Sequence, residues 1–314
     1  MNSFFVALSA VIPLMIYMGI GLLAQKKEGF TDKIIANFNK LVFHVFLPAN
    51  MFVSVYTSDV KKTLQPSLVL YCFGGILAIW LLSFLIIPRF TSDNRKRGAL
   101  IQLIYRSNFI LLGTSIVESL FGPEAAALPM MVAAFVVSEF NVLAVFTLEY
   151  YRSNSQGFNL KKILLGCLKN DMIIGAIVGA VFKILPFTLP PLLLKPIITV
   201  SRCTTPFALI VLGASFNFQC IMNEWKAIFW GVVAKLFLNP LLFIGGAVLL
   251  GFRGKELATI MALAATPSAV AGFAMAKEMD SDADLTGSCV IITSGLSCVT
   301  LFLWVYFLNA FGYL

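Results

Sequence analysis

Three ionisable side chains, Arg106, Glu139 and Asp171, lie within or beside long apolar stretches of the sequence. A charge in such a stretch is costly and is usually tied to function. Arg106 lies well inside one stretch and predicts a counter-charge for an anionic ligand, with an internal ion pair as the structural alternative. Glu139 lies near the middle of another stretch, where an unpaired carboxylate takes up a proton or holds a cation. Glu139, Asn141 and Asp171 are therefore the candidates for ion coupling, although Glu139 could instead pair with Arg106 or Lys235.

The composition predicts that helices in a bilayer position these residues. Of the 314 residues, 59% are hydrophobic and 12% are charged, and apolar stretches of helical length recur along the whole chain. The fold class expected is all-α integral membrane, with ten transmembrane helices. The predicted spans lie near residues 4–24, 34–56, 66–87, 98–121, 124–150, 165–185, 192–216, 225–250, 256–278 and 284–312.

The basic residues predict an orientation in the cell membrane. The formal net charge is +8, and the lysines and arginines cluster in short connections, which favours contact with lipid headgroups over binding of nucleic acid. With the N-terminus outside, the inner connections hold twelve basic residues and the outer ones five. The positive-inside rule then predicts a multi-pass plasma membrane protein with both termini external.

A polar connection near the middle of the chain divides it into two halves. The predicted units are residues 1–152, a cytoplasmic connection at 153–162, and residues 163–314. Five spans is an odd number, so the second half must enter the membrane from the opposite side and form an inverted repeat. Pro48 and Pro206 are 158 residues apart, and Asn108 and Pro267 are 159 apart. A shared register of this kind favours the repeat.

The fourth and ninth spans are poor continuous helices and are expected to break. Proline removes a backbone donor, and serine, threonine and asparagine side chains can satisfy the freed groups beside a cavity. Two half-helices with converging N-termini suit a carboxylate. The simpler alternative is a proline kink with ordinary helix contacts. The predicted substrate-binding residues are Arg106, Ser107, Asn108, Thr266, Pro267, Ser268, Asn50 and Thr205, and the predicted helix-break residues are Gly113, Gly272, Pro48 and Pro206.

Several motifs resemble the auxin efflux carrier family over essentially the whole chain. They are the segment from Asn39 to Ala49, Arg106-Ser107-Asn108 with Gly113, and Pro267-Ser268 through Glu278. The chain departs from the family pattern with Ile110 in place of a glycine and Ser115 in place of a proline. The resemblance implies ten spans with two crossing broken helices, as in sodium/bile-acid symporters, and a permease for malate, malonate or a similar acid. Export of an indole acid of the auxin type is the alternative.

Other function classes have less support in the sequence. There is no P-loop and no H-E-x-x-H motif, and His44 is the single histidine, so no enzyme is expected. We expect no cofactor and no metal site, with H⁺ or Na⁺ as the coupling ion. The expected partners are the organic anion and membrane lipids, no nucleic acid is expected, and a homodimer is compatible with the sequence. A membrane receptor that does not transport, and a channel, are the alternatives from other classes.

Overall fold

The computed structural model describes residues 2–27, 30–57, 65–154, 160–185 and 188–314, and no strand occurs among them. The helices of the first half are α1 (Asn2–Gln25), α2 (Asp32–Leu41), α3 (Leu47–Tyr56), α4 (Pro66–Ile86), α5 (Asn94–Tyr105), α6 (Phe109–Phe121) and α7 (Ala127–Asn154). Those of the second half are α8 (Leu160–Lys169), α9 (Asp171–Ile184), α10 (Pro191–Ala214), α11 (Phe218–Asn223), α12 (Trp225–Val233), α13 (Asn239–Leu249), α14 (Gly254–Ala265), α15 (Ala271–Glu278) and α16 (Ala283–Ala310).

The described helices are those of a multi-pass membrane protein. Six helical segments are long and apolar enough to cross a bilayer, and α8 with α9, bent by 63°, make a seventh if the pair is one span. Two further apolar helices, Val11–Gln25 and Leu112–Phe121, are shorter. Large aliphatic side chains such as Leu192 (84% exposed) and Leu249 (88%) point outward, as contact with lipid requires. The count of ten spans stays a prediction.

Glycines bring two pairs of helices into backbone contact. A Cβ on Gly21 of α1 would lie 2.0 Å from the Ile210 carbonyl oxygen of α10. A Cβ on Gly179 of α9 would lie 2.7 Å from the Phe52 carbonyl oxygen of α3. Only glycine permits so close an approach of two helices. Gly21 and Gly179 are 158 residues apart, as are Phe52 and Ile210, so the same contact occurs twice in one register.

The helices form two groups. α1, α3, α9 and α10 pack together, and the Thr204 hydroxyl of α10 donates to the Phe46 carbonyl, just before α3, at 2.9 Å. The second group comprises α4 to α7 and α12 to α16, which pack mainly on one another. We call the first group the panel and the second the core. α1 contacts α6 and α16 of the core, so the two groups share a long interface.

Two interruptions divide core helices where the sequence predicts breaks. α5 ends at Tyr105 because Arg106 is extended (φ −77°, ψ 140°), and α6 begins at Phe109. α14 ends at Ala265 because Thr266 is extended (φ −67°, ψ 153°), and α15 begins at Ala271. We call residues 106–108 the first interruption and residues 266–270 the second. The first interruption forms although Ile110 and Ser115 depart from the family pattern.

The four predicted helix-break residues lie within helices, which corrects that part of the sequence interpretation. Pro206 lies inside the continuous α10, and Gly113 lies inside α6. Gly272 is in the first turn of α15. Pro48 is the second residue of α3 and follows a π-helical turn, where a wider hydrogen-bond ring accommodates the missing proline donor. The breaks arise instead from the extended residues that precede them.

Candidate functional site

The two interruptions touch each other inside the core. The Asn108 backbone N–H donates to the Pro267 carbonyl oxygen at 2.8 Å. These two residues are 159 positions apart, the separation expected for equivalent positions of a repeat. Because α6 begins directly after Asn108, its first turn of free backbone N–H groups points toward this contact. The first turn of a helix favours an anion there.

Arg106 is a buried cation whose hydrogen-bond partners are all uncharged. Its side chain is 3% exposed. One terminal nitrogen donates to Asn141 Oδ1 at 2.8 Å, and the other lies 3.3 Å from Gln102 Oε1 and 2.9 Å from Met275 Sδ. Its Nε has no partner in the described part of the chain. The sequence-based alternative, an ion pair with Glu139, is not formed. The positive charge is therefore oriented by neutral groups, and no described acidic side chain pairs with it.

Unpartnered polar atoms surround the contact between the interruptions. Ser107 Oγ, Asn108 Nδ2 and Thr266 Oγ1 are buried and have no hydrogen-bond partner within the described residues. A buried polar atom without a partner costs about 1–3 kcal/mol, so such atoms usually mark a site that something else completes. Together with Arg106 Nε they supply donors for a carboxylate. All four residues were predicted to bind substrate.

Ser268 and Pro267 are occupied by contacts within the protein. The Ser268 hydroxyl donates to the Leu103 carbonyl at 3.2 Å, and its backbone N–H donates to Thr293 Oγ1 at 3.4 Å. The Pro267 carbonyl accepts from Asn108, as described above. These two predicted binding residues thus hold the second interruption against α5 and α16.

Asn50 and Thr205 lie on the panel and do not join this cluster. Asn50 Nδ2 donates to Ser201 Oγ at 3.2 Å, which links α3 to α10. Thr205 lies on α10 and is half-buried. No hydrogen bond between described residues connects either side chain to the two interruptions. Asn50 thus contributes to the contact between two panel helices.

The three coupling candidates lie in different surroundings. Glu139 is 6% exposed, and neither of its carboxylate oxygens has a partner among the residues described. Asn141, two residues further along α7, is held by Arg106. Asp171 makes a short contact with His44, and the two side chains are 38% and 52% exposed. Glu139 is thus the candidate whose carboxylate is both buried and unpaired.

Three buried polar residues contribute contacts that the sequence interpretation did not assign. Gln102 accepts from Arg106 and donates to the Gly272 carbonyl at 3.2 Å, so it connects the first interruption to the first turn of α15. Lys235 donates to the Ala264 carbonyl at 3.3 Å. Asn239 Nδ2 donates to the Ile104 carbonyl at 2.8 Å. In the sequence, each of these residues is visible as a polar side chain within an apolar span. Asn239 also directly precedes Pro240.

A polar cavity opens between the panel and the core at one end of the molecule. Its volume is about 670 Å³. Lys277, from the end of α15, donates to Ser215 Oγ at 3.3 Å across it. The other polar lining residues are Gln25, Asp32, Asn217, Gln219 and Asp284. The cavity is thus lined by residues of both helix groups, such as Gln25 of α1 and Asp284 of α16.

Comparison with known proteins agrees with the class that this architecture defines, a helical membrane transport protein rather than an enzyme. Residues 6–305 match the model of the membrane transport protein family, and the chain belongs to that family. The resemblance to auxin efflux carriers is confirmed, since the relatives are transporters of that family.

The relatives match over nearly their whole length. An uncharacterized transporter of Methanothermobacter thermautotrophicus is 24% identical over 297 residues, which cover 94% of this chain and 96% of the relative. The uncharacterized transporter YfdV of Escherichia coli K12 is 22% identical over 315 residues, which cover 98% of each chain. These similarities identify a permease and leave its substrate to be argued from the site.

Proposed function

We propose that the protein is a secondary active transporter of a small organic anion, with mono- and dicarboxylates such as malate or malonate as its substrate class. Arg106 carries the proposal, because its guanidinium is buried without a carboxylate partner in the described part of the chain. A carboxylate would neutralise this charge and satisfy Nε and the donors of Ser107 and Asn108. The choice of malate or malonate rests on the family resemblance.

The proposed architecture is ten spans arranged as two inverted five-helix repeats, residues 1–152 and 163–314. Contacts between equivalent residues support it, because such contacts fall on the axis that relates two repeats. Thr204 bonds to Phe46 at a separation of 158 residues, and Asn108 bonds to Pro267 at 159. The repeated glycine contacts of the panel have the same register. Alternating access would then be a movement of the core against the panel, with the substrate at the interruptions.

We place both termini outside the plasma membrane. Two ion pairs join segments assigned to the inner side, Lys96 with Glu224 at 2.6 Å and Arg152 with Asp280 at 3.0 Å. The Arg253 guanidinium lies 4.6 Å from the centre of the Tyr313 ring, which supports a C-terminus beside an outer connection. Cysteine labelling of intact cells tests this orientation. A terminus on the cytoplasmic side would remove the parity argument for the inverted repeat.

Uptake into liposomes tests the proposed function. Purified protein is reconstituted, and uptake of a panel of carboxylates is measured with pH and sodium gradients imposed separately. We expect saturable uptake of a small carboxylate and its counterflow against unlabelled substrate. Preferred uptake of an indole acid would select the alternative substrate class. Binding without uptake would indicate a receptor, and flux without counterflow would indicate a channel.

We further propose that Glu139 couples transport to protons. Glu139→Gln should abolish acceleration by an inward pH gradient and leave counterflow of substrate intact, because the amide fills the same space without accepting a proton. Glu149→Gln, on the same helix, is the matched control and should keep the gradient response. A wild-type protein that requires sodium and ignores the pH gradient would contradict proton coupling.

A further inference from the structure

Lys235 is a buried ammonium whose role the proposed site does not explain. It lies in the π-helical turn Ala234–Leu238, which joins α12 to α13, and its side chain is 0% exposed. Its amino group donates to the Ala264 carbonyl oxygen at 3.3 Å. No acidic side chain in the described part of the chain forms an ion pair with it. A lysine this deep without a carboxylate is costly, so the acceptor that it meets is informative.

That acceptor belongs to the C-terminal end of an interrupted helix. Ala264 is in the last turn of α14, which ends at Ala265. The last four carbonyls of a helix lack partners within it and carry its partial negative charge. The ammonium therefore lies where a helix end favours a cation, directly before the second interruption.

The segment that carries Lys235 also bonds to the C-terminal end of α5, the other interrupted helix. Asn239, four residues after Lys235, donates to the Ile104 carbonyl oxygen at 2.8 Å, in the last turn of α5. A single segment of chain thus bonds to the C-terminal ends of both α5 and α14. The positions 158 and 159 residues before Lys235 are Leu77 and Ile76, so the first half offers no matching cation.

Carbonyl groups at the C-terminal ends of half-helices bind the coupling cation in transporters built from broken helices. We propose that Lys235 is a tethered cation that occupies such a position here, so that no dissociable alkali ion is needed at the α14 end. The inference rests on the proposed transport function and deepens it. A tethered charge cannot leave with the substrate, so this position adds no sodium coupling and leaves Glu139 as the proton site.

The test measures cation binding without substrate, so it stays informative if the proposed substrate class is wrong. Purified wild type, Lys235→Ala, Lys235→Met and Lys235→Arg are melted in detergent in sodium chloride or in choline chloride of equal ionic strength. Methylammonium chloride is a third condition, and binding of ²²Na⁺ is measured in parallel.

We expect the wild type to show equal Tm values in sodium and choline and no bound ²²Na⁺. Lys235→Ala should have a lower Tm that rises with added sodium or methylammonium, because the vacated space lets a free cation reach the Ala264 carbonyl. Lys235→Met should show no such rise, since its side chain fills the space without charge, and Lys235→Arg should behave like the wild type.

Two results would overturn the inference. One is a wild-type Tm that rises specifically in sodium, together with bound ²²Na⁺. This wild-type measurement tests the inference even if Lys235→Ala does not fold. The other is a folded Lys235→Ala whose Tm ignores both sodium and methylammonium, which would leave Lys235 a packing residue.

Discussion

The two interruptions of the core occupy equivalent positions in the chain but differ in how completely their polar groups are satisfied. The first carries a buried cation and keeps Arg106 Nε, Ser107 Oγ and Asn108 Nδ2 without partners in the described structure. The second uses its Pro267 carbonyl and the Ser268 hydroxyl and N–H in contacts with the rest of the core. Thr266 Oγ1 of the second interruption also has no partner among the described residues. We propose a division of roles, in which the first interruption supplies most of the ligand contacts and the second, apart from Thr266, mainly supports it.

The C-terminal ends of α5 and α14, which lead into the two interruptions, also differ in the groups that bond to them. The end of α14 receives the ammonium of Lys235, whereas the end of α5 receives neutral donors from Asn239 and Ser268. Each interruption thus has one buried basic side chain beside it, Arg106 at the first and Lys235 at the second. Equivalent places in a repeat need not carry equal chemistry, because each residue meets different neighbours.

Arg106→Gln should give the largest effect on ligand binding. It removes the charge at the first interruption with little change of size, and a lost charge-assisted hydrogen bond is worth about 1.5–3 kcal/mol, or roughly a ten- to hundredfold loss of affinity. Calorimetric titration with the best transported carboxylate measures it. The variant must elute as a monodisperse protein with wild-type Tm. A folded variant of unchanged affinity would remove Arg106 from the site.

Asn239→Ala should lower stability and leave affinity for the anion unchanged. The change leaves the buried Ile104 carbonyl without its side-chain donor, and an unsatisfied buried group costs about 1–3 kcal/mol. Thermal unfolding in detergent reports the effect as a lower Tm. Asn309→Ala, at the exposed end of α16, is the matched control and should melt like the wild type. Reduced affinity at unchanged Tm would place Asn239 in the ligand site instead.

Asn108→Ala should have the opposite effect to Asn239→Ala, with reduced affinity for the anion and an unchanged Tm, and the change in free energy should be smaller. Its side-chain nitrogen has no partner to lose in the described structure, so stability should be kept, while a neutral hydrogen bond to the anion worth about 0.5–1.5 kcal/mol is lost. The affinity and the Tm are measured on the same preparation. A lower Tm with full affinity would show that Asn108 supports the fold rather than the ligand.

Ser268→Ala should have the smallest effect and should appear in the Tm alone. The hydroxyl bonds to the Leu103 carbonyl, and hydrogen bonds between membrane helices average about 0.6 kcal/mol. Ser107→Ala is the matched change at the first interruption and should reduce affinity instead. If both serine variants lose affinity equally, the two interruptions share the ligand and the proposed division of roles is wrong.

The sequence predicted the helical membrane architecture and the location of both interruptions, because apolar length, proline and clustered polar residues report on local backbone requirements. It also singled out Arg106 and Glu139 as charges within apolar stretches, and the structure shows that both are buried; their roles in binding and coupling stay predictions. It did not predict that Pro206 lies in a continuous helix, nor which carbonyls Lys235 and Asn239 reach. Those contacts depend on how distant helices pack, and nothing in the spacing of the residues specifies them.

The central claim is that the first interruption binds a carboxylate through the charge of Arg106. The most direct test compares the affinity of the best transported carboxylate with that of its neutral amide, in the wild type and in folded Arg106→Gln. We predict that the wild type prefers the carboxylate and that the variant binds the two compounds about equally, because removal of the guanidinium removes the preference for charge. An unchanged preference in a folded Arg106→Gln would contradict the claim and would place the anion site elsewhere in the protein.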